Sequence, residues 1–141
     1  MFREYRYSKL EKYNKYTKYE FCHISFTGSQ FVLEFHSIGY RRITPYHRIV
    51  GNFHIVGDKL ILNAMQQYSI KFDLDETVNY YLKFIKYQKT EKYIKKARKI
   101  NVSKMECVDL KMEKIEMEIR PTKLILLSNV LITGNYELMF V

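Results

Sequence analysis

Apolar and polar residues alternate along most of the chain with a period of two, which is typical of β-strands that have one buried face. The clearest examples are residues 22–27, 31–35, 49–56, 59–62, 68–74, 115–119 and 136–140. Turn residues separate several of these segments, at Gly28-Ser29, Gly57-Asp58 and Pro121-Thr122. The pattern predicts three hairpins and seven to nine strands in all. We therefore expect a mainly β (α+β) protein, built as a small antiparallel barrel or sandwich.

One helix is predicted within this β pattern. Apolar residues recur there at positions i, i+3, i+4 and i+7, namely Val78, Tyr81, Leu82 and Ile85. Asp73 and Glu76 have the spacing of a capping box, and Asp75 adds a carboxylate near the positive end of the helix dipole. The sequence thus predicts one long basic helix from about Asp75 to Lys99, with its apolar face on the sheet.

Positive charge is concentrated in two stretches of the 141 residues. The net charge is +9, and residues 83–99 hold eight Lys/Arg and one Glu, a net +7. Residues 1–20 hold six Lys/Arg and three Glu, a net +3, and they end in three successive Lys-Tyr-x triplets at residues 12–20. We interpret 1–20 as a Lys/Tyr-rich leader, either an extended arm or a short surface helix, and 21–141 as a single β-rich domain. Clustered charge of this kind is what a surface that binds polyanions needs.

Composition limits the class of protein. A hydrophobic content of 47% is enough to offset the entropy of folding. The two cysteines, Cys22 and Cys107, do not form a disulfide framework, and the first residues lack the apolar core of a signal peptide. No apolar run is long enough to predict a transmembrane segment. An intracellular location, nuclear or cytoplasmic, is therefore expected.

A short acidic motif has a second interpretation. The segment 72–78, with Asp73, Asp75 and Thr77, resembles the Asp-x-Asp-x-Thr motif of the haloacid dehalogenase phosphatase superfamily, which would make Asp73 the nucleophile and Asp75 the acid/base. Residues 126–129 resemble that family's second motif, which ends an apolar strand at Ser128. The resemblance also implies a parallel α/β sheet, a Lys and a late acidic pair for Mg²⁺, but Glu137 is the only charged residue after Ser128. We favour the capping box and keep this enzyme as a remote alternative.

Other catalytic or metal chemistry is not indicated. His36, His47 and His54 have no paired ligand spacing, and neither Ser29 nor Ser128 lies in a nucleophile elbow. We predict no catalytic residue, no metal and no cofactor, and hence a non-enzymatic protein.

The basic residues of the predicted helix have only Glu91 as a counter-charge, so helical ion pairs do not explain them. A solvated face that maintains solubility is the simpler explanation, and an anionic partner is the one we favour. Tyrosines near further basic residues could stack on bases, as in proteins that bind single strands. The candidate nucleic-acid-binding residues are Lys83, Lys86, Lys89, Lys92, Lys95, Lys96, Arg98, Lys99, Arg41, Arg42, Tyr13, Tyr16, Tyr19, Tyr40 and Tyr46.

Two family resemblances suggest how these residues are used. The segment Arg48-Ile49-Val50-Gly51-Asn52-Phe53, followed by two strands and a helix, is similar to the opening of OB-fold single-strand-binding subunits of the replication protein A and telomere-capping type. This resemblance, over residues 47–120, implies an accessory subunit of a larger nucleoprotein complex that binds single-stranded nucleic acid. The same order of elements also looks like a pleckstrin-homology-type domain, which would bind phosphoinositides or protein peptides.

The C-terminal stretch is more apolar than one sheet face requires. Leu131-Ile132 and the closing run 138–141 provide this surplus. Because such apolar surface marks interaction sites, we expect a protein partner to bind through the C-terminal apolar strand.

Overall fold

The computed structural model describes residues 3–13, 16–39, 42–70, 94–95, 97–127, 131–132 and 136–141. These residues form a closed antiparallel barrel of eight strands. The strands are β1 Glu4–Tyr13, β2 Tyr16–Thr27, β3 Gln30–Gly39, β4 Arg42–Val56, β5 Lys59–Ser69, β6 Glu106–Ile119, β7 Lys123–Leu126 and β8 Glu137–Phe140. Each strand pairs with the next in the sequence, and β8 pairs with β1. The architecture is an up-and-down barrel.

The prediction of an antiparallel barrel or sandwich is confirmed, since the sheet closes into a barrel, and so are the three predicted hairpins. β2 and β3 join at Gly28-Ser29, β4 and β5 at Gly57-Asp58, and β6 and β7 at Arg120, Pro121 and Thr122. The period-two pattern explains this success, because each hairpin places its apolar positions on the inner face.

The interior of the barrel is filled by the inward-facing side chains, which pack into one continuous apolar cluster. Every strand contributes to it, and its buried members include Tyr5, Cys22, Ile24, Leu33, Ile49, Leu62, Ile115, Leu124 and Leu138. The residues between these positions face outward. The chemistry of the outer surface of the barrel therefore depends on these outward-facing residues.

Irregularities in β4 and β5 interrupt the regular pairing of the sheet. Pro45 and Tyr46 on β4 face the single residue His36 on β3, which places the proline in a bulge where it disrupts no ladder. Met65 is an extra residue on β5. Gly51 lies so close to β5 that a Cβ atom would be 2.0 Å from the backbone oxygen of Asn63. The backbones of the paired strands β4 and β5 thus lie very close together at Gly51.

Two predicted boundaries differ from the structure. The predicted leader, residues 1–20, contributes to the barrel itself, because β1 and the start of β2 pair from Glu4↔Ser25 to Tyr13↔Tyr16. β4 begins at Arg42, earlier than the hairpin start predicted at Ile49. The three Lys-Tyr-x triplets, at residues 12–20, obscured the end of β1 and the start of β2, because their period of three differs from the period of two of a strand.

The long basic helix predicted from about Asp75 to Lys99 is not supported by the structure. Residues 71–93 and 96 lie outside the described residues, and helical backbone is described only at 94–95 and 97–98. A single 3₁₀ turn follows at Val102–Lys104. Within the part of the chain that is described, no helix is long and apolar enough to cross a membrane.

Candidate functional site

Part of the outer face of the barrel is covered by the segment 94–105, which we call the covering segment. Its residues Ile94, Ala97 and Met105 are buried. Ala97 and Met105 pack in a second apolar cluster with Tyr46, against which Tyr68 also packs. The covering segment therefore lies on β4 and β5, outside the barrel and separate from the core within it.

A buried carboxylate holds the covering segment in place. Glu34 is only 4% exposed, on the outer face of β3. Arg98 donates to it through two nitrogens, Nε to Oε2 at 2.8 Å and Nη2 to Oε1 at 2.9 Å. This bidentate geometry is the strongest form of the arginine–carboxylate pair.

Other side chains complete the network around Glu34. The Tyr46 hydroxyl donates to Glu34 Oε2, and His23 Nδ1 lies 3.2 Å from Oε1. Arg48 Nε donates to the Tyr46 hydroxyl at 3.2 Å, and its guanidinium lies 5.6 Å from the centre of that ring. Arg48 Nη2 is also 3.4 Å from the backbone oxygen of Arg98. The network thus ties three strands to one residue of the covering segment.

The charge states of the side chains in this network are suited to holding the covering segment on the barrel. Burial alone would raise the pKa of Glu34, but the polar contact with His23, the hydrogen bonds from Arg98 and Tyr46, and the charge of Arg98 lower this pKa to about 2. Burial, reinforced by the Glu34 charge, raises the pKa of Tyr46. The hydrogen bond to Glu34 raises the pKa of Arg98. A carboxylate that stays charged and an arginine that stays protonated hold a structure together and do not exchange protons near neutral pH.

Residues with outward-facing side chains on β2–β5 form rows across the sheet, as the strand register shows. One row is Phe21, His36 and Tyr46, and the next is His23, Glu34, Arg48 and Tyr68. The covering segment lies on these two rows. Ala97 and Met105 pack against Tyr46 in the first row, and Arg98 binds Glu34 in the second. The third row is Ser25, Val32, Val50 and Gln66, and the fourth is Thr27, Gln30, Asn52 and Asn63.

The third and fourth rows line a groove of about 460 Å³ beside the covering segment. Its floor includes Val32 and Val50, and its polar lining consists of hydroxyl and carboxamide side chains: Ser25, Thr27, Ser29, Gln30, Asn52 and Gln66. Met65, the extra residue of β5, also lines it. We call this feature the amide groove.

Three of the residues predicted to bind nucleic acid lie on the covering segment. Lys95 and Lys99 are exposed on the covering segment, on either side of buried Ala97. Arg98 is 42% exposed but is bound to Glu34. The structure thus brings these three cations together on one short segment.

Two predicted tyrosines are corrected by the structure. Tyr46 is fully buried and Tyr19 is 5% exposed, so neither ring offers a face on which a base could stack. Tyr13 and Tyr16 are paired across the β1–β2 connection, and Arg42 begins β4. The remaining candidates lie outside the described residues: Lys83, Lys86, Lys89, Lys92, Lys96, Arg41 and Tyr40.

Sequence reasoning missed Glu34, and it assigned two of its partners, Arg98 and Tyr46, to nucleic-acid binding. Glu34 lies between the inward-facing Leu33 and Phe35, so the alternation predicts an exposed carboxylate there. No local pattern could have revealed its partner Arg98, which is 64 residues away.

The alternative chemistries gain no support. The residues described contain no group of three His, Cys, Asp or Glu side chains that could hold a metal ion. Asp73, Asp75 and Ser128 lie outside the described residues, and the strand pairs that are described are antiparallel, unlike the parallel sheet that the phosphatase resemblance implies.

Comparison with known proteins gives no relative: no family, curated protein or solved structure matches this chain.

Proposed function

We propose that this protein is a non-enzymatic nucleic-acid-binding accessory subunit of a larger complex, with single strands as the favoured ligand. The observation that carries the proposal is the position of Lys95 and Lys99, exposed on a segment that Arg98 fixes to the buried Glu34. Cations on a fixed support lose less conformational entropy on binding than cations on a free tail.

The density of positive charge around the covering segment also supports the proposal. The segment 94–105 continues a stretch, 83–99, with a net charge of +7 in the sequence. Arg48 lies directly beside Arg98, which adds a cation from the barrel itself. Like charges repel one another, and an anionic ligand relieves that repulsion by neutralising them.

A salt titration tests the proposal. A labelled single strand of 20 nucleotides should bind with log K falling linearly with log salt, by about 0.7 per phosphate contact. The Lys95→Gln/Lys99→Gln variant should lower the magnitude of this slope by about 1.4 if each lysine makes one contact.

The matched control removes two charges elsewhere on the barrel. Lys59 and Lys123 lie at the starts of β5 and β7, and the Lys59→Gln/Lys123→Gln variant should keep the wild-type slope. An equal loss in both variants would indicate attraction by net charge alone. Duplex and phosphoinositide vesicles are measured alongside, and a clear preference for the vesicles would favour the pleckstrin-like alternative.

The protein partner in this proposal binds at the C-terminal strand. Met139, Phe140 and Val141 are about half exposed or more. Tagged protein from native extract should sediment as a larger species than purified protein, and Met139→Glu should abolish the difference. Identical sedimentation of both samples as a monomer would contradict this part of the proposal.

A further inference from the structure

The amide groove is chemically unlike the basic segment beside it. Its polar lining includes the carboxamides of Gln30, Asn52 and Gln66 and the hydroxyl of Ser25, above an apolar floor at Val32 and Val50. None of the described residues that line it is ionisable. A ligand for this groove is therefore uncharged there, forms hydrogen bonds and has apolar surface for the floor.

We propose that the amide groove holds bases of a single-stranded nucleic acid whose phosphates lie on the covering segment. This inference rests on the proposed function and goes further, because it assigns a base-contacting surface that involves none of the residues predicted from the sequence.

The carboxamides are oriented by their neighbours. Asn63 Nδ2 donates to Asn52 Oδ1 at 2.8 Å, and the Tyr68 hydroxyl donates to Gln66 Oε1 at 2.8 Å. Since both side-chain oxygens are engaged, their amino groups are the donors that Asn52 and Gln66 can offer a ligand. Base edges present ring nitrogens and carbonyl oxygens as acceptors, and Asn and Gln are common partners of bases.

The offset between the covering segment and the groove fits the size of a nucleotide. Arg98 binds Glu34 and contacts Arg48, both in the row adjacent to Val32 and Val50. Successive outward-facing rows are about 7 Å apart, because a strand rises about 3.3 Å per residue. This is close to the distance between a phosphate and its base. A nucleotide can thus reach the covering segment with its phosphate and the groove with its base.

The same charge pattern argues against a peptide in the groove. An acidic peptide would bring carboxylates to a lining that offers them no cation, and an uncharged peptide would leave the lysines of the covering segment unused. Nucleic acid matches both halves of the surface, because its charge lies on the backbone and its bases are neutral.

The test compares two labelled strands of equal length and charge, a mixed-sequence 20-mer and an abasic 20-mer that lacks all bases. Wild-type protein should bind the base-containing strand at least about fivefold more tightly, as one or two net hydrogen bonds provide. Asn52→Ala/Gln66→Ala should remove this preference and keep the salt slope. Gln67→Ala is the matched control, because its carboxamide contacts His47 and Ser69 and does not line the groove.

The outcomes test the groove inference and the proposed function separately. Equal wild-type affinity for both strands, or a preference that survives the double substitution, overturns the groove inference and leaves the proposed function standing. Absence of binding to either strand at low salt overturns both. If an unlabelled acidic peptide displaces the strand from wild type but not from the double variant, the groove binds peptide. If the double variant does not fold, the single variant Gln30→Ala, at an exposed position, is expected to reduce the preference.

Discussion

Arg98 donates two hydrogen bonds to the carboxylate of Glu34, and this pair fixes the covering segment to the outside of the barrel. It joins a residue of the third strand to one that follows the fifth, so it links parts of the chain that the hairpins leave independent. Three predictions test what this pair and its network contribute, and a fourth tests the close approach of β4 and β5.

Arg98→Ala should lower the free energy of unfolding by about 1–3 kcal/mol. Glu34 would keep its burial but lose both charged hydrogen bonds, and the partial exposure of Arg98 lets water offset some of that loss. Urea unfolding measures the change. Lys95→Ala, on the same segment and exposed, should stay within about 0.5 kcal/mol of wild type. Equal effects in the two variants would contradict an anchoring role for Arg98.

Low pH should reduce the stability of the folded protein, because Glu34 becomes protonated. The folded state lowers the pKa of this carboxyl from its ordinary value of 4.5 to about 2. Its contribution is fully present above pH 4.5 and is lost as the pH falls towards 2, because the unfolded chain takes up the proton first. Thermal unfolding of wild type and Glu34→Gln between pH 7 and pH 2 measures this. The stability difference between the two should shrink over that window, and a constant difference would refute the assignment.

Tyr46→Phe should affect stability and leave nucleic-acid binding unchanged. The substitution removes the hydroxyl that donates to Glu34 and accepts from Arg48, which should cost about 1–2 kcal/mol. Because Tyr46 is fully buried, affinity for a single strand under folded conditions should match wild type. Fluorescence anisotropy and urea unfolding on the same samples separate the two effects. A large loss of affinity with unchanged stability would restore a stacking role for Tyr46.

Gly51→Ala should be more damaging than Gly57→Ala. A Cβ at Gly51 would overlap the backbone of β5, so the cost should exceed about 3 kcal/mol. Gly57 has a φ of 63° in a turn, with open space around it, so alanine there should cost about 1 kcal/mol. Yield of soluble protein and thermal melting compare the two variants. Similar losses in both would contradict the close approach of β4 and β5.

The sequence predicted the barrel wherever alternation was strict and turns were marked. It predicted the hairpin around Gly28 and Ser29 because inward residues such as Ile24 and Leu33 follow the period of a strand on both sides. It failed for β1, because tyrosines and charged residues fill most of this segment and Leu10 is its only aliphatic residue, although residues 4–13 pair completely with β2.

The candidate site was harder to predict because its parts meet only in the folded protein. The exposed Lys95 and Lys99 were found from local charge, which is a property of the sequence. The burial of Tyr46, by contrast, depends on Ala97 and Met105 closing over it. The amide groove joins side chains from four strands, and none of them is distinctive in its own segment.

The junction of β1 and β8 has consequences for how the protein is made. Among the described residues it pairs Tyr5 with Phe140 and Arg6 with Met139 and adds a backbone hydrogen bond from Val141 N to Glu4 O, whereas β1 and β2 share ten paired positions. All other neighbouring strands are consecutive, so each can join the sheet as the ribosome delivers it, but this junction must wait for β8 to be synthesised. Until then the growing sheet has two unpaired edges, which are exposed to strands of other nascent chains. The rate of this final closure, more than the rate of hairpin formation, should set how long the newly made protein exposes these edges.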